Sequence, residues 1–166
     1  PVKLAVITAN LELVAAGIAT YQNLGIFTET FMFCTYLSIG GVGCTLSLCL
    51  LMMFICKSSE LKALGRACVV PGIFNINEPL VYGMPLMLNF TMLIPFIVTP
   101  ILSLVFAWAA ITLGLMPCPT GLIGMNTMPI FIYGVIQGSW KIGIYQILMT
   151  IMSAAIWYPF FKAADN

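Results

Sequence analysis

PGIFNINEPLVYGMPLMLNF, residues 71–90, is the stretch that decides how this chain folds. It holds one carboxylate, Glu78, and no other formal charge stands between Arg66 and Lys141. Hydrocarbon disfavours charge so strongly that an ionisable group at membrane depth faces a cavity, a partner or a substrate. Asn75 and Asn77 place two side-chain amides beside that carboxylate in sequence. Pro79 restricts the residue before it and pushes Glu78 away from helical backbone angles. Pro71–Gly72 on one side and Gly83–Met84–Pro85 on the other interrupt the backbone again. The stretch reads as a helix broken at membrane depth, with polar side chains and released backbone groups gathered at the break. Such breaks occur only where protein buries them or they line a wet cavity, and transporters place substrate sites there. Asn75, Asn77 and Glu78 are therefore the first candidate binding residues.

Outward from this stretch, composition agrees with the reading. Of 166 residues, 61% are hydrophobic and 7% charged, where a soluble domain carries about 25% charged residues; mean hydropathy is +1.09. The expected fold class is an all-α integral membrane protein, a polytopic helical bundle with two re-entrant, broken-helix hairpins. The length allows roughly four to six passages at about 20 residues each. A net charge of +1 carries no message about nucleic acid, and none is expected as a partner. With no histidine, phosphohistidine carriers, histidine-built metal sites and serine-type triads are all excluded. The six cysteines, Cys34, Cys44, Cys49, Cys56, Cys68 and Cys118, form no CxxC pair and mostly fall within or beside apolar runs. Cysteine there acts as a small hydrophobe, so neither disulfide framework, metal site nor cofactor is indicated. The chain begins at Pro1 with no signal-peptide pattern, and is expected to be the carboxy-terminal part of a longer permease.

Residues 4–28 are mixed and lead into an exposed loop that reaches FTET (27–30), with Glu12 and Glu29 solvated. Residues 31–56 form an uncharged run long enough to span. Its GGVG (40–43) lacks the lysine and preceding strand of a phosphate loop. Two readings fit it: close helix packing through small residues, or a glycine break in a re-entrant segment, with Thr45 offering a hydroxyl to a ligand. KSSELKALGR (57–66) holds three of the six basic residues, which places it on the cytoplasmic side. Residues 91–115 read as a span kinked at Pro95 and Pro100, with Trp108 at its outer interface. Residues 117–139 gather Pro117, Pro119, Gly121, Gly124, Pro129, Gly134 and Gly138. Each interior proline costs about 3 kcal/mol in a helix, so a second re-entrant hairpin is expected. Residues 142–161 make a last span before a polar tail with Lys162 and Asp165. Two broken segments, 67–90 and 117–139, separated by one span, point to a midplane site between repeats.

These residues carry a family likeness. IFNINEPLVYGMPLMLN (73–89) resembles the signature of sugar-permease (IIC) components of the bacterial phosphoenolpyruvate-dependent phosphotransferase system, in the lactose, cellobiose and diacetylchitobiose branch. The likeness extends to ANLELVAAG (9–17), TETF (28–31), GGVGCTLSL (40–48), KALGR (62–66), PTG (119–121) and YPFFKAAD (158–165). It implies a homodimeric, multi-pass permease of the bacterial cell membrane, surrounded by lipid, that alternates between outward- and inward-facing states with a β-linked disaccharide. It also implies that a IIB partner phosphorylates the sugar from a phosphocysteine, so the permease is not itself the enzyme. The carboxylate matching Glu78 would contact the sugar near its primary hydroxyl, with asparagines alongside. Where members carry PWTTPP, this chain reads MNTMPI (125–130), with Asn126 in the place of tryptophan and Thr127 beside it; both join the candidate sugar ligands. PCPTG stands in place of PPPTG. The alternatives are a truncated copy that inserts without transporting, and an unrelated secondary transporter with broken helices. The latter would want a second intramembrane carboxylate.

Overall fold

The computed structural model describes residues 5, 8–9, 12–13, 15–17, 39–117, 128–136 and 138–164. FTET (27–30), Glu29, Cys34, Cys118, Asn126 and Thr127 lie outside the described residues; Glu12 is exposed. The order is α1 (Leu46–Phe54), α2 (Ser59–Ile73), α3 (Glu78–Gly83), a 3-10 turn (Leu86–Leu88), α4 (Phe90–Thr112), α5 (Ile130–Ile136) and α6 (Trp140–Ala164). Among the described residues there is no strand, and the fold is all-α. Local signals set the helix starts. Ser58 holds an extended backbone and its hydroxyl accepts the Leu61 N–H at 3.5 Å, with Glu60 in the first turn where the helix dipole favours an acid. Asn89 opens α4 in the same way, its Oδ1 accepting the Thr91 N–H at 3.0 Å.

α6 is the post against which α1, α4 and α5 pack. Its carboxy-terminal half places Trp157 and Phe161 in the main core with Leu48, Met52, Cys56 and Cys68. Its start places Ile142 against Ala107, Ile111 and Met116 near the end of α4. α1 and α2 form an antiparallel pair that closes to backbone contact at Gly65, where a Cβ would lie 2.7 Å from Met52 Cβ and 3.0 Å from Met53 N. α5 meets α6 where Gly134 faces Gly143. Small residues let helices approach this closely when lipid, not water, surrounds them.

α4 and α6 are the two described helices long and apolar enough to cross a membrane. The 23 residues of α4 extend about 34 Å, against a hydrocarbon core of about 30 Å. Pro95 and Pro100 sit inside α4, both buried. Ile94, Ile97, Ile101, Val105 and Trp108 line its outer side and stand exposed. Their spacing of three and four residues makes one continuous apolar face.

The structure departs from the sequence reading in three places. α2 runs unbroken through Pro71 and Gly72; a proline in the last turn forfeits a single ladder donor, and the break falls one turn later. Glu78 is the first residue of α3 despite Pro79, because proline in a first turn lacks only an N–H that would have no intrahelical partner anyway. Of the run 31–56, the described part is a non-helical loop over 39–45 followed by the nine residues of α1. Of the second broken segment, 117–139, residues 118–127 and 137 lie outside the described residues, and the described part contains the seven-residue α5.

Candidate functional site

The site is built where α2 stops. Phe74 closes the helix, Asn75 adopts φ 62°, and the chain folds back on the last turn. The Asn75 N–H donates to the Gly72 carbonyl at 3.0 Å and the Ile76 N–H to the Pro71 carbonyl at 2.9 Å. That pair of bonds is a Schellman cap, which requires a left-handed residue at the position of Asn75. Glycine usually fills it, and asparagine is the next residue to tolerate it. Here asparagine adds an acceptor that glycine lacks: its Oδ1 takes the Gly40 N–H at 2.8 Å. Two residues on, Asn77 precedes α3, its carbonyl accepting from the Leu80 and Val81 N–H groups at 3.0 Å each. Its Nδ2 donates to the Val42 carbonyl at 2.7 Å, and its surface is 9% exposed.

Both asparagines thus seat on the glycine loop, whose backbone is left-handed at Gly40, Gly41, Gly43 and Cys44, with φ between 52° and 89°. A Cβ on Gly41 would overlap the Asn77 side chain, and one on Gly43 the Phe96 ring. The loop curls so tightly that its carbonyls point outward, and side chains take them up. Thr45 Oγ1 donates to Gly40 O at 2.8 Å. Trp157 Nε1, on a fully buried indole of α6, donates to Gly43 O at 3.3 Å. Ser47 and Ser153, 2.6 Å apart, each lie 3.0 Å from Cys44 O. Two hydroxyl protons serve those three contacts, so at any instant one serine points at the carbonyl and the other at the carbonyl or at its neighbour. Glu78 is left outward: it is exposed, and among the described residues no hydrogen bond or ion pair holds its carboxylate.

Comparison with known proteins decides the lineage. The family model described as "Phosphotransferase system, EIIC" matches residues 1–100. The chain belongs to the phosphotransferase system EIIC family. Within it, the cellobiose-specific EIIC component of Geobacillus stearothermophilus is 44% identical over 143 residues, 85% of this chain and 32% of that protein. The lactose-specific EIICB component of Lacticaseibacillus casei is 31% identical over 173 residues, covering 100% of this chain and 28% of that one. The crystal structure of the transporter ChbC, the IIC component of an N,N'-diacetylchitobiose-specific phosphotransferase system, superposes with a TM-score of 0.90 at 35% identity. That match covers 99% of this chain and 38% of ChbC. The EIIC chain described above therefore spans between 28% and 38% of the length of these relatives.

Within this EIIC segment, the structure brings Asn75, Asn77 and Glu78 into one turn, while Asn126 and Thr127 lie outside the described residues. The residues that sequence reasoning missed are those that hold the turn: Gly41, Val42, Ser47, Ser153 and Trp157. One signal was available, because a buried tryptophan N–H needs an acceptor. Nothing local in the sequence pointed to a carbonyl 114 residues away. Thr45, considered for its hydroxyl, turns that hydroxyl onto its own loop. Cys44, Cys49, Cys56 and Cys68 are buried, and the described residues contain no cluster of three or more metal-ligating side chains.

Proposed function

We propose that this chain forms the sugar-binding part of a IIC permease for a β-linked disaccharide in the bacterial cell membrane. The observation that carries the reading is Glu78, the single charge of a long apolar stretch, exposed at a turn whose other polar groups are already engaged with backbone. A carboxylate so placed accepts hydrogen bonds from sugar hydroxyls, and charge-assisted bonds of this kind are roughly twice as strong as neutral ones. Relatives named for cellobiose, lactose, oligo-β-mannoside and N,N'-diacetylchitobiose support a β-linked sugar as the class. Asn126 and Thr127 complete the proposed ligand set from the second broken segment. The permease works as a homodimer beside a IIB partner, a pairing supported by relatives named EIICB.

In this scheme the sugar's primary hydroxyl attacks phosphorus on the IIB phosphocysteine. A P–O bond forms, the S–P bond breaks with its electrons left on sulfur, and the hydroxyl proton leaves toward Glu78, which acts as hydrogen-bond acceptor and general base. The added phosphate charge retains the product inside the cell. Glu78→Gln tests the reading, because it keeps shape and a carbonyl acceptor while removing charge. Hydrogen bonds to charged groups contribute about 1.5–3 kcal/mol, so cellobiose, lactose or diacetylchitobiose should bind about tenfold to hundredfold more weakly. Detergent-solubilised melting should stay near wild type. Undiminished affinity, or collapse of the melting transition, would remove Glu78 as the sugar ligand.

A further inference from the structure

We propose that Asn77 is a positioning residue for Glu78, and that the glycine loop is the seat through which α6 fixes the pair; this rests on Glu78 being the sugar ligand. Asn77 immediately precedes Glu78, so whatever fixes its side chain and backbone fixes the origin of α3. Its amide is committed to Val42 O at 2.7 Å, nearly shut off from solvent. Its carbonyl is committed to the first turn of α3 through Leu80 and Val81. Asn75 pins the same loop one residue pair earlier through Gly40 N–H. The loop is held in turn by Trp157, which donates to Gly43 O, and by Ser47 and Ser153, which share Cys44 O. The backbone of Gly40, Val42, Gly43 and Cys44 is thereby gripped between the turn that carries Glu78 and the carboxy-terminal half of α6. A displacement of α6 along this grip moves the carboxylate without touching the sugar. Binding geometry is unforgiving of such motion, because a hydrogen bond weakens steeply once its distance and angle leave the preferred range.

The test is a double-mutant cycle on cellobiose binding, measured by calorimetry on the full chain in detergent, with the stoichiometry and the Kd both read. Asn77→Asp keeps the shape, cannot donate to Val42 O and sets a carboxylate against that carbonyl. Gly41→Ala attacks the same seat from the loop side. Each should raise the Kd about tenfold at unchanged stoichiometry, the lower end of what losing a hydrogen bond to a charged group costs. In a Glu78→Gln background each should raise it less than about twofold, since a residue that acts through another loses its effect when that other is gone. Full additivity of Asn77→Asp with Glu78→Gln would make Asn77 an independent sugar ligand and overturn the proposal. A lowered stoichiometry with the Kd of the folded remainder unchanged would make the seat a scaffold only, and overturn it equally. The Glu78→Gln single variant is read separately: if it alone leaves the Kd unchanged, the ligand reading has failed, whichever way the cycle closes.

Discussion

At Asn75 two demands meet that neither glycine nor alanine satisfies together. The Schellman cap asks for a left-handed backbone, and the glycine loop asks for an acceptor 2.8 Å from Gly40 N. Asn75→Ala fails both, since alanine carries a left-handed strain of about 1–2 kcal/mol and has no acceptor; the total loss should be about 2 kcal/mol. Asn75→Gly fails only the second and should cost about 1 kcal/mol. Melting temperatures should therefore rank wild type, then glycine, then alanine, with glycine above alanine in reverse of that pair's order in a helix interior. Ser47 and Ser153 behave differently because they back each other up. With either hydroxyl removed, the other still donates to Cys44 O, so Ser47→Ala and Ser153→Ala should each cost under about 1 kcal/mol. The double variant takes away both hydroxyl partners and should cost about 2 kcal/mol, more than the singles added together. Strict additivity in melting experiments would show that the two hydroxyls do not share that carbonyl.

At the scale of elements, the α1–α2 pair sets helix propensity against packing. Gly65 and Gly72 both lie within α2, where alanine is favoured over glycine by about 1 kcal/mol. A Cβ at Gly72 meets only the flexible end of Leu46 at 3.2 Å, whereas at Gly65 it meets Met53 backbone at 3.0 Å and Met52 Cβ at 2.7 Å. Gly72→Ala should thus be neutral or slightly stabilising, while Gly65→Ala should destabilise by about 1–3 kcal/mol, the usual cost of overpacking. Equal melting temperatures for the two would mean that α1 and α2 are not in backbone contact. The same elements show what a linear reading can reach. The lone charge and the two asparagines fall in the turn between α2 and α3, and the apolar runs 91–115 and 142–161 overlap most of α4 and α6. The glycine loop inside the run 31–56 was not decided, because hydropathy is blind to whether an apolar stretch is helical. Its conformation depends on Trp157 and Ser153 arriving from the other end of the chain. Pro71 is a helix breaker by composition, yet the cap that follows it, not the proline, ends α2.

For the whole molecule, the packing of α6 fixes which charges share a side of the membrane. Trp157 and Phe161 lie in one core with Cys56 and Cys68, so the end of α6 sits beside the loop that joins α1 to α2. Lys162, in the last turn of α6 with its ammonium 5.9 Å from the Tyr158 ring centre, is thereby brought to the side of Lys57, Lys62 and Arg66. The start of α6 packs instead with Met116 beyond the end of α4, which carries Lys141 to the opposite end. Among the described residues, four basic side chains against one orient the segment by the positive-inside rule, with the Lys57 loop cytoplasmic. Single cysteines at Ser59 and Ala164 should then react with a membrane-impermeant maleimide only after cells are opened, and one at Ser139 should react in intact cells. Ser59 and Ala164 labelling from opposite sides would contradict the packing of α6 against α1. All three reversed would keep that packing and overturn only the orientation, because the grip between helix ends is set by the core and the sidedness by charge.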